Sequence, residues 1–442
     1  MHFHRCSPPA KVSASHLLAN RMTYIPTMAE GSSEAVAACF RWLGMQAQVT
    51  PPSDERTREL GGRFVNGDEC YPALVTLGDL MRAAKQPGFD PRRSAFLMPT
   101  ADGPCRFGQY APFLRKVLRG AGLGEVIVIS PTDRNGYADL GEISGAFMRM
   151  MWRALVCNDY LQKALHHTRP YELHSGTTDA AFRESLQDLC ATIESCCGNP
   201  PCQLQALVRC VQRGRERFRQ VPAQCGKELP LIGVVGEIFC RLNAFANENL
   251  VRRLESLGAE AWVSDIKEWV DYATEAQFYE LRRQGRRLSL AMLRARLRAR
   301  VQQADAGRLS EPFAEDWVGY EEPDAPELLE LAAPYLPADG VAGEMVLSMG
   351  KASYLAQHGA DGVIDISPFT CMNGIVSEAI YPKLSRDLGG IPIRNFYFEG
   401  TETDVEGDLT IFLELVRSYR ERKKYRRNYP VGFGSSLIAR EA

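Results

Sequence analysis

Short apolar runs alternate with helix-length stretches in two separate blocks of this chain, and that alternation most constrains its fold. In the first block the runs fall at 22–27, 46–50, 96–99 and 126–130, with helical patterns over 33–43, 73–85 and 108–119. In the second they fall at 229–237, 261–263, 362–366 and 391–398, with helical patterns over 248–257, 344–358 and 406–420. Gly44 and Gly258 sit just past helical stretches, where glycine ends a helix most easily. Alternating strand and helix predicts mostly parallel sheets covered on both faces. The fold class is therefore read as α/β, with two Rossmann-like doubly wound parallel-sheet domains and helical insertions. The expected divisions are a disordered leader at 1–21, a first α/β domain at 22–139, a helical insertion at 140–228 and a second α/β domain at 229–442. A long basic helix is expected at about 266–303 within the last of these.

Composition narrows the function classes. The 442 residues are 45% hydrophobic and 24% charged, as in ordinary soluble globular proteins. A formal net charge of −2 gives no global pull toward nucleic acid or an anionic membrane. No apolar run approaches the ~18 residues that span a bilayer, and the first twenty residues lack the apolar core of a secretory signal. The expected location is the cytoplasm. Thirteen cysteines without a disulfide framework suit metal binding or catalysis there. No pair has CxxC spacing, which disfavours zinc ribbons and bacterial-ferredoxin clusters.

Three cysteines stand where an apolar run is predicted to end and a helix to begin. Their contexts are Gly67-Asp-Glu-Cys-Tyr-Pro72, Gly103-Pro-Cys-Arg-Phe-Gly-Gln-Tyr110 and Pro368-Phe-Thr-Cys-Met-Asn-Gly374. Pro72 suits a first helical position just after Cys70. Free N–H groups and the helix dipole at such a position favour a thiolate, and loops at strand C-termini are where open α/β sheets hold ligands. Cys70, Cys105 and Cys371 are thus read as ligands of one metal group in a cleft between the two domains. Spacing alone leaves three readings open: buried core cysteines, a zinc site or an iron–sulfur site.

Longer segments around these cysteines carry a resemblance. They include Tyr24-Ile-Pro26, Pro51-Pro-Ser-Asp54, Asn66-Gly-Asp-Glu-Cys-Tyr-Pro72, Met98-Pro-Thr-Ala-Asp-Gly-Pro-Cys-Arg-Phe-Gly-Gln-Tyr110, Thr168-Arg-Pro-Tyr-Glu172, Val235-Gly-Glu-Ile-Phe239 and Pro368-Phe-Thr-Cys-Met-Asn-Gly-Ile-Val-Ser-Glu-Ala-Ile380. In these, from about residue 22 to 400, the chain resembles 2-hydroxyacyl-CoA dehydratase-type proteins, specifically the non-ATPase, cluster-binding part of the large dehydratase activator-related proteins. The resemblance implies a [4Fe–4S] cluster on Cys70, Cys105 and Cys371. It also implies low-potential one-electron chemistry on an acyl-CoA thioester, with a separate ATP-dependent activator protein as electron donor. A homodimer or heterodimer is expected. The alternatives are a non-catalytic electron relay or accessory protein, a small-molecule reductase with a larger cluster, and a binding protein that has kept the fold without a cluster. Ala73 stands where many relatives carry a second cysteine, which weakens the larger-cluster reading. The P-loop-like stretch from Gly343 to Lys351 fails in glycine spacing, and Ala352 replaces the Ser/Thr, so ATP hydrolysis by this chain is not expected.

Other residues are read beside these. Glu237, at the end of an apolar run, is a candidate proton-moving carboxylate or simply a turn cap. Arg106 and Gln109 could hydrogen-bond cluster sulfurs or a thioester oxygen, and Glu378 reads as structural. Cys190, Cys196, Cys197, Cys202, Cys210 and Cys225 read as buried helical cysteines rather than a second metal site. His166, His167 and His174 read as solvent-facing helix positions. The arginine-rich stretch 282–300 is predicted as an amphipathic helix with Leu290, Leu293, Leu297 and Val301 as its apolar stripe. It reads as a solvated face or a dock for an acidic electron donor or CoA phosphates, and no motif supports nucleic-acid binding.

Overall fold

The computed structural model describes residues 17–101, 103–131, 138–224, 226–339, 343–401, 403–427 and 433–434. Residues 1–16 of the expected leader, Cys225 and parts of the C-terminal segment lie outside them. The chain divides into two compact units. One comprises Met1–Asn158 with Leu186–Cys210, the other Asp159–Ser185 with Val211–Ala442.

The first unit opens with β1 (Met22–Ile25), α1 (Ser32–Trp42), β2 (Gln46–Val49), α2 (Glu55–Gly62) and α3 (Tyr71–Ala84). It continues with β3 (Ser94–Leu97), α4 (Tyr110–Gly120) and β4 (Ile127–Ile129). Its strands form one parallel sheet in the order β2-β1-β3-β4, with Tyr24 registered against Phe96. Phe96, Leu77, Leu80, Met98 and Leu114 make the core between this sheet and its helices. Helix α2 was not read from the sequence. Asp54 caps it: the side chain accepts from the N–H of Thr57 at 3.1 Å, and the Thr57 hydroxyl accepts from the N–H of Asp54. This reciprocal box supplies partners for groups a helix start leaves unsatisfied. Cys70 consequently follows a helix, not a strand.

Three long helices come next: α5 (Ser144–Thr168), α6 (Thr177–Ser195) and α7 (Pro200–Arg219). Each contributes residues to both units.

The second unit holds β5 (Leu231–Gly236), α8 (Ile238–Leu242), α9 (Leu250–Ser256), β6 (Glu260–Val263), α10 (Ile266–Arg283) and α11 (Leu290–Ser310). Then come α12 (Ala325–Ala332), α13 (Met345–Gln357), β7 (Gly362–Pro368), α14 (Met372–Asp387), β8 (Ile393–Phe398) and α15 (Val405–Arg422). The sheet order is β6-β5-β7-β8, again all parallel. Every residue of β5 and β7 is buried, as expected for central parallel strands covered on both faces. The fold class is therefore α/β, with two four-stranded parallel sheets of matching topology. Among the described residues no helix is long and apolar enough to cross a membrane.

The single helix expected over 266–303 is in fact two. Gly285 takes a left-handed conformation (φ 71°), and Ser289 caps a new helix by accepting from the N–H of Met292. Helix α11 buries Met292 and Ala295, so the leucine stripe read as apolar packing faces outward.

Among the buried ion-pair networks of the second unit, one centres on Glu322 and another on Glu260. Glu322 accepts from Lys163 at 2.7 Å, from Lys351, and from the indole N–H of Trp262 at 2.8 Å; Lys351 also pairs with Glu268 at 3.1 Å. Glu260 is held by His167 (2.6 Å), by the Tyr171 hydroxyl (2.5 Å) and by Arg427 (2.7 Å). His167 is 1% exposed, so its expected solvent-facing position is corrected: a carboxylate partner lets the imidazole be buried.

Burial alone would push the Glu260 carboxyl up, but Arg427 and His167 outweigh it and hold the group down to about 2. A carboxylate whose folded pKa is depressed stabilises fully above its ordinary value of 4.5. That stability is lost as pH falls from there toward 2. At about 1.4 kcal/mol per pKa unit, Glu260 contributes about 3 kcal/mol at neutral pH. Glu260→Gln should thus be strongly destabilised at pH 7, and its deficit relative to wild type should shrink as pH falls to 3. Urea unfolding across that range measures it, and a deficit independent of pH would contradict the assignment.

Candidate functional site

In open parallel sheets, ligands gather at the strand C-termini where the strand order reverses. Here those points lie between β1 and β3 in the first sheet and between β5 and β7 in the second. Cys105 follows β3, and Glu237 and Cys371 follow β5 and β7. Cys105 and Cys371 therefore fall at corresponding places in the two units, whereas Cys70 follows helix α2.

In the first unit Cys70 is the N-cap of α3, with Pro72 in the first turn, and Cys105 is the N-cap of a single 3-10 turn, Arg106–Gln109, that leads into α4. Tyr110 at the start of α4 brings its hydroxyl to 2.6 Å from the Cys70 sulfur, and Arg106 donates to the carbonyl of Asp68 at 2.9 Å. These two bonds tie the Cys70 loop to the Cys105 turn. Arg106 is thus occupied with backbone. Gln109 is exposed and lines a shallow surface depression with Glu69, Pro112, Phe113 and Lys116. Cys70 is buried, and Cys105 is exposed.

In the second unit Cys371 is the N-cap of α14. All three cysteines share an extended backbone: φ/ψ is −76°/156° at Cys70, −67°/136° at Cys105 and −69°/126° at Cys371. The residue before Cys371 departs from this regularity. Thr370 has φ 62°, a left-handed conformation that costs a β-branched residue on the order of 1–2 kcal/mol. The sequence carries no sign of it, because threonine is among the residues least suited to that region.

Helix-start placement alone does not make Cys371 a thiolate. Burial and the nearby carboxylates of Glu237 and Glu344 push its thiol up to about 12. The N–H groups of Gly374 and Asn373 favour the thiolate, though not in capping hydrogen-bond geometry, and are outweighed.

Glu237 is the N-cap of α8, its two oxygens accepting from the N–H groups of Phe239 at 3.0 Å and Cys240 at 2.8 Å. Gly236 before it has φ 111°, and a Cβ there would stand 2.2 Å from the Ile366 carbonyl oxygen, so only glycine lets β5 turn against β7 at this point. Glu344, which sequence reading missed, accepts from the N–H of Ile238 at 3.1 Å. Burial and then Glu237 push its carboxyl up to about 8. Asp365, buried in β7, accepts from the Tyr381 hydroxyl at 2.5 Å and from Ser367 at 3.0 Å. Its carboxyl is raised to about 6 by burial against those two donors. The sequence signal for Glu344 was slight, since it lies just before α13 in an ordinary-looking Gly-Glu-Met.

The remaining sequence-marked residues are placed as follows. Glu378 accepts from the Tyr397 hydroxyl at 2.7 Å. Cys196 and Cys210 are buried and Cys190, Cys197 and Cys202 half-buried. Burial raises Cys190 to about 12, and burial with the adjacent Cys197 raises Cys196 to about 11. His166 contacts Arg169 and Glu255, and His174 is exposed. Lys351, the last residue of the failed P-loop pattern, lies inside α13 with its ammonium in the Glu322 network. Among the described residues no group of three or more His, Cys, Asp or Glu side chains stands close enough to hold a metal ion. Compared with protein-family models the chain matches none, and no curated protein matches it.

Proposed function

We propose that this chain is an iron–sulfur protein of the 2-hydroxyacyl-CoA dehydratase type, acting in the cytoplasm on an acyl-CoA thioester, with Cys70, Cys105 and Cys371 as ligands of a [4Fe–4S] cluster. The observation that carries the reading is the shared placement of these cysteines. Each is an extended N-cap at the start of a helix or 3-10 turn, and Cys105 and Cys371 follow corresponding strands of two sheets with the same order. The donor set suits the group, because thiolates are the usual ligands of such clusters. Three protein ligands also leave a position open for substrate.

When bound, the cluster would supply single electrons at low potential, received from a separate ATP-dependent activator protein. The chain's own residues have distinct tasks. The capping carboxylate of Glu237, near Cys371, adds negative charge, which lowers a cluster's potential. Glu237 holds the start of α8 and through it the position of Arg241, whose guanidinium donates to the Gly236 carbonyl at 2.6 Å. Glu344, rather than the capping Glu237, is the carboxyl positioned to hold a proton. The Tyr110 hydroxyl orients the Cys70 sulfur, and Arg106 holds the loop that carries it.

Anaerobic reconstitution with iron and sulfide tests the reading. About four irons per chain and an absorbance band near 400 nm are expected, together with a paramagnetic signal on dithionite reduction. Serine at Cys70, Cys105 or Cys371 should each abolish that signal, and serine at Cys197 should leave it. Absence of iron from the wild type, or a signal indifferent to all three substitutions, would sink the proposal.

A further inference from the structure

Helix α11 shows solvent a face that its own packing does not use. It is anchored by Met292 and Ala295 against Phe278 and Leu281 of α10, with Ala291 and Ala299 beside them. Leu290, Leu293 and Leu297 point away from that contact and are 70%, 62% and 62% exposed. At 100° per residue the three leucines fall within a strip about 60° wide. Arg294 and Arg298 run along one flank, and Arg296 and Arg300 along the other. Among the described residues none of these four arginines forms an ion pair with a carboxylate. No Asp or Glu occurs anywhere in 282–300, which holds eight arginines.

The spacing decides what such a face fits. Leu290, Leu293 and Leu297 stand at i, i+3 and i+7, the first positions of a coiled-coil seam, and Arg294 and Arg296 take the two flanking positions that select a partner by charge. A bilayer surface fits less well, because interfacial helices present a broader apolar face, often with aromatics, and this strip has none. A second copy of the same face would set arginines against arginines. The helix is already ordered by α10, so docking need not meet the cost of forming it.

We propose that this face of α11 docks an acidic amphipathic helix of a partner protein, the leucine strip meeting the partner's apolar seam and the arginine flanks its carboxylates. The inference stands independently of the cluster.

A fluorescent three-heptad peptide with Leu at the seam and Glu at the flanks is the probe, titrated with the full-length protein and followed by anisotropy. Saturable binding is expected, weakening about tenfold or more between low and moderate salt. Leu293→Ser with Leu297→Ser should abolish it. Arg294→Glu with Arg296→Glu should weaken it about tenfold or more and create binding to the same peptide carrying Lys at the flanks. All four side chains are exposed, so circular dichroism and Tm should match wild type. The proposal is overturned if the wild type binds the Lys peptide as well as the Glu peptide, or binds neither. It is equally overturned if anionic phospholipid vesicles bind and the Glu peptide does not.

Discussion

Glu322→Ala is expected to destabilise the second unit by about 3–5 kcal/mol, the cost of leaving buried charges without a partner. The carboxylate stands between two buried lysines. Lys163 reaches it at 2.7 Å, Lys351 binds its other oxygen, and Trp262 donates its indole N–H. Burial opposes its charge, but the two ammonium groups outweigh burial and hold the carboxyl down to about 2. Removing it leaves Lys163 over the rings of Trp262, Trp317 and Tyr320 with, among the described residues, only the Tyr320 carbonyl to accept from it. Lys351 would retain Glu268, which is why the loss should not exceed the usual cost of one broken buried pair. Adding Lys163→Met to Glu322→Ala should recover part of it, since the ammonium then no longer needs a counter-charge. Urea unfolding of wild type, single and double variants measures both effects. A single-variant loss below about 1 kcal/mol, or a double variant worse than the single by a full unit, would contradict this account of the network.

The central strands of the second unit, β5 and β7, were legible because they are buried on both faces. Leu231-Ile-Gly-Val-Val-Gly236 and Gly362-Val-Ile364 read as near-continuous apolar runs, and no surface pattern was needed to find them. The helix starts at Cys70 and Cys371 were legible for a related reason: proline at the first turn in one case and Pro-Phe-Thr after a strand in the other mark a chain that must stop one structure before beginning the next. The break at Gly285 was present in the sequence but hidden by the arginines around it, whose helical propensity suggested continuity. The outward turn of Leu290, Leu293 and Leu297 was hidden because periodicity gives a stripe without saying which stripe is buried; two small or flexible residues, Met292 and Ala295, made the real contact. Glu344 was barely legible and Thr370 not at all. One acquires its raised pKa from burial and from Glu237, distant in sequence, and the other occupies a backbone region that its type avoids.

Gly78→Val is expected to cost about 3 kcal/mol and to loosen the loop that carries Cys70. Helices α2 and α3 meet backbone to backbone. A Cβ on Gly78 would stand 2.0 Å from the Thr57 carbonyl oxygen, and one on Gly61 would stand 2.1 Å from that of Leu74. Neither neighbour is the end of a flexible side chain, so the helices would have to separate. Separation would also break the polar lock between them. Thr57 donates to Asp79 at 2.9 Å, Ser53 donates to the same carboxylate at 2.8 Å, and Arg82 donates to Thr57 at 2.8 Å. Asp79 is nearly fully buried, and that burial raises its carboxyl to about 7 despite these donors; exposing it to water would relieve that burial but would not replace the lost helix packing. Because Cys70 is the N-cap of α3, a displaced α3 should expose its buried sulfur. Peptide-resolved alkylation should therefore show Cys70 of Gly78→Val reacting at least about tenfold faster than wild type under native conditions, with the half-buried Cys202 of α7 unchanged as the internal standard. A wild-type melting temperature together with unchanged Cys70 reactivity would mean that the two helices do not fix the Cys70 turn.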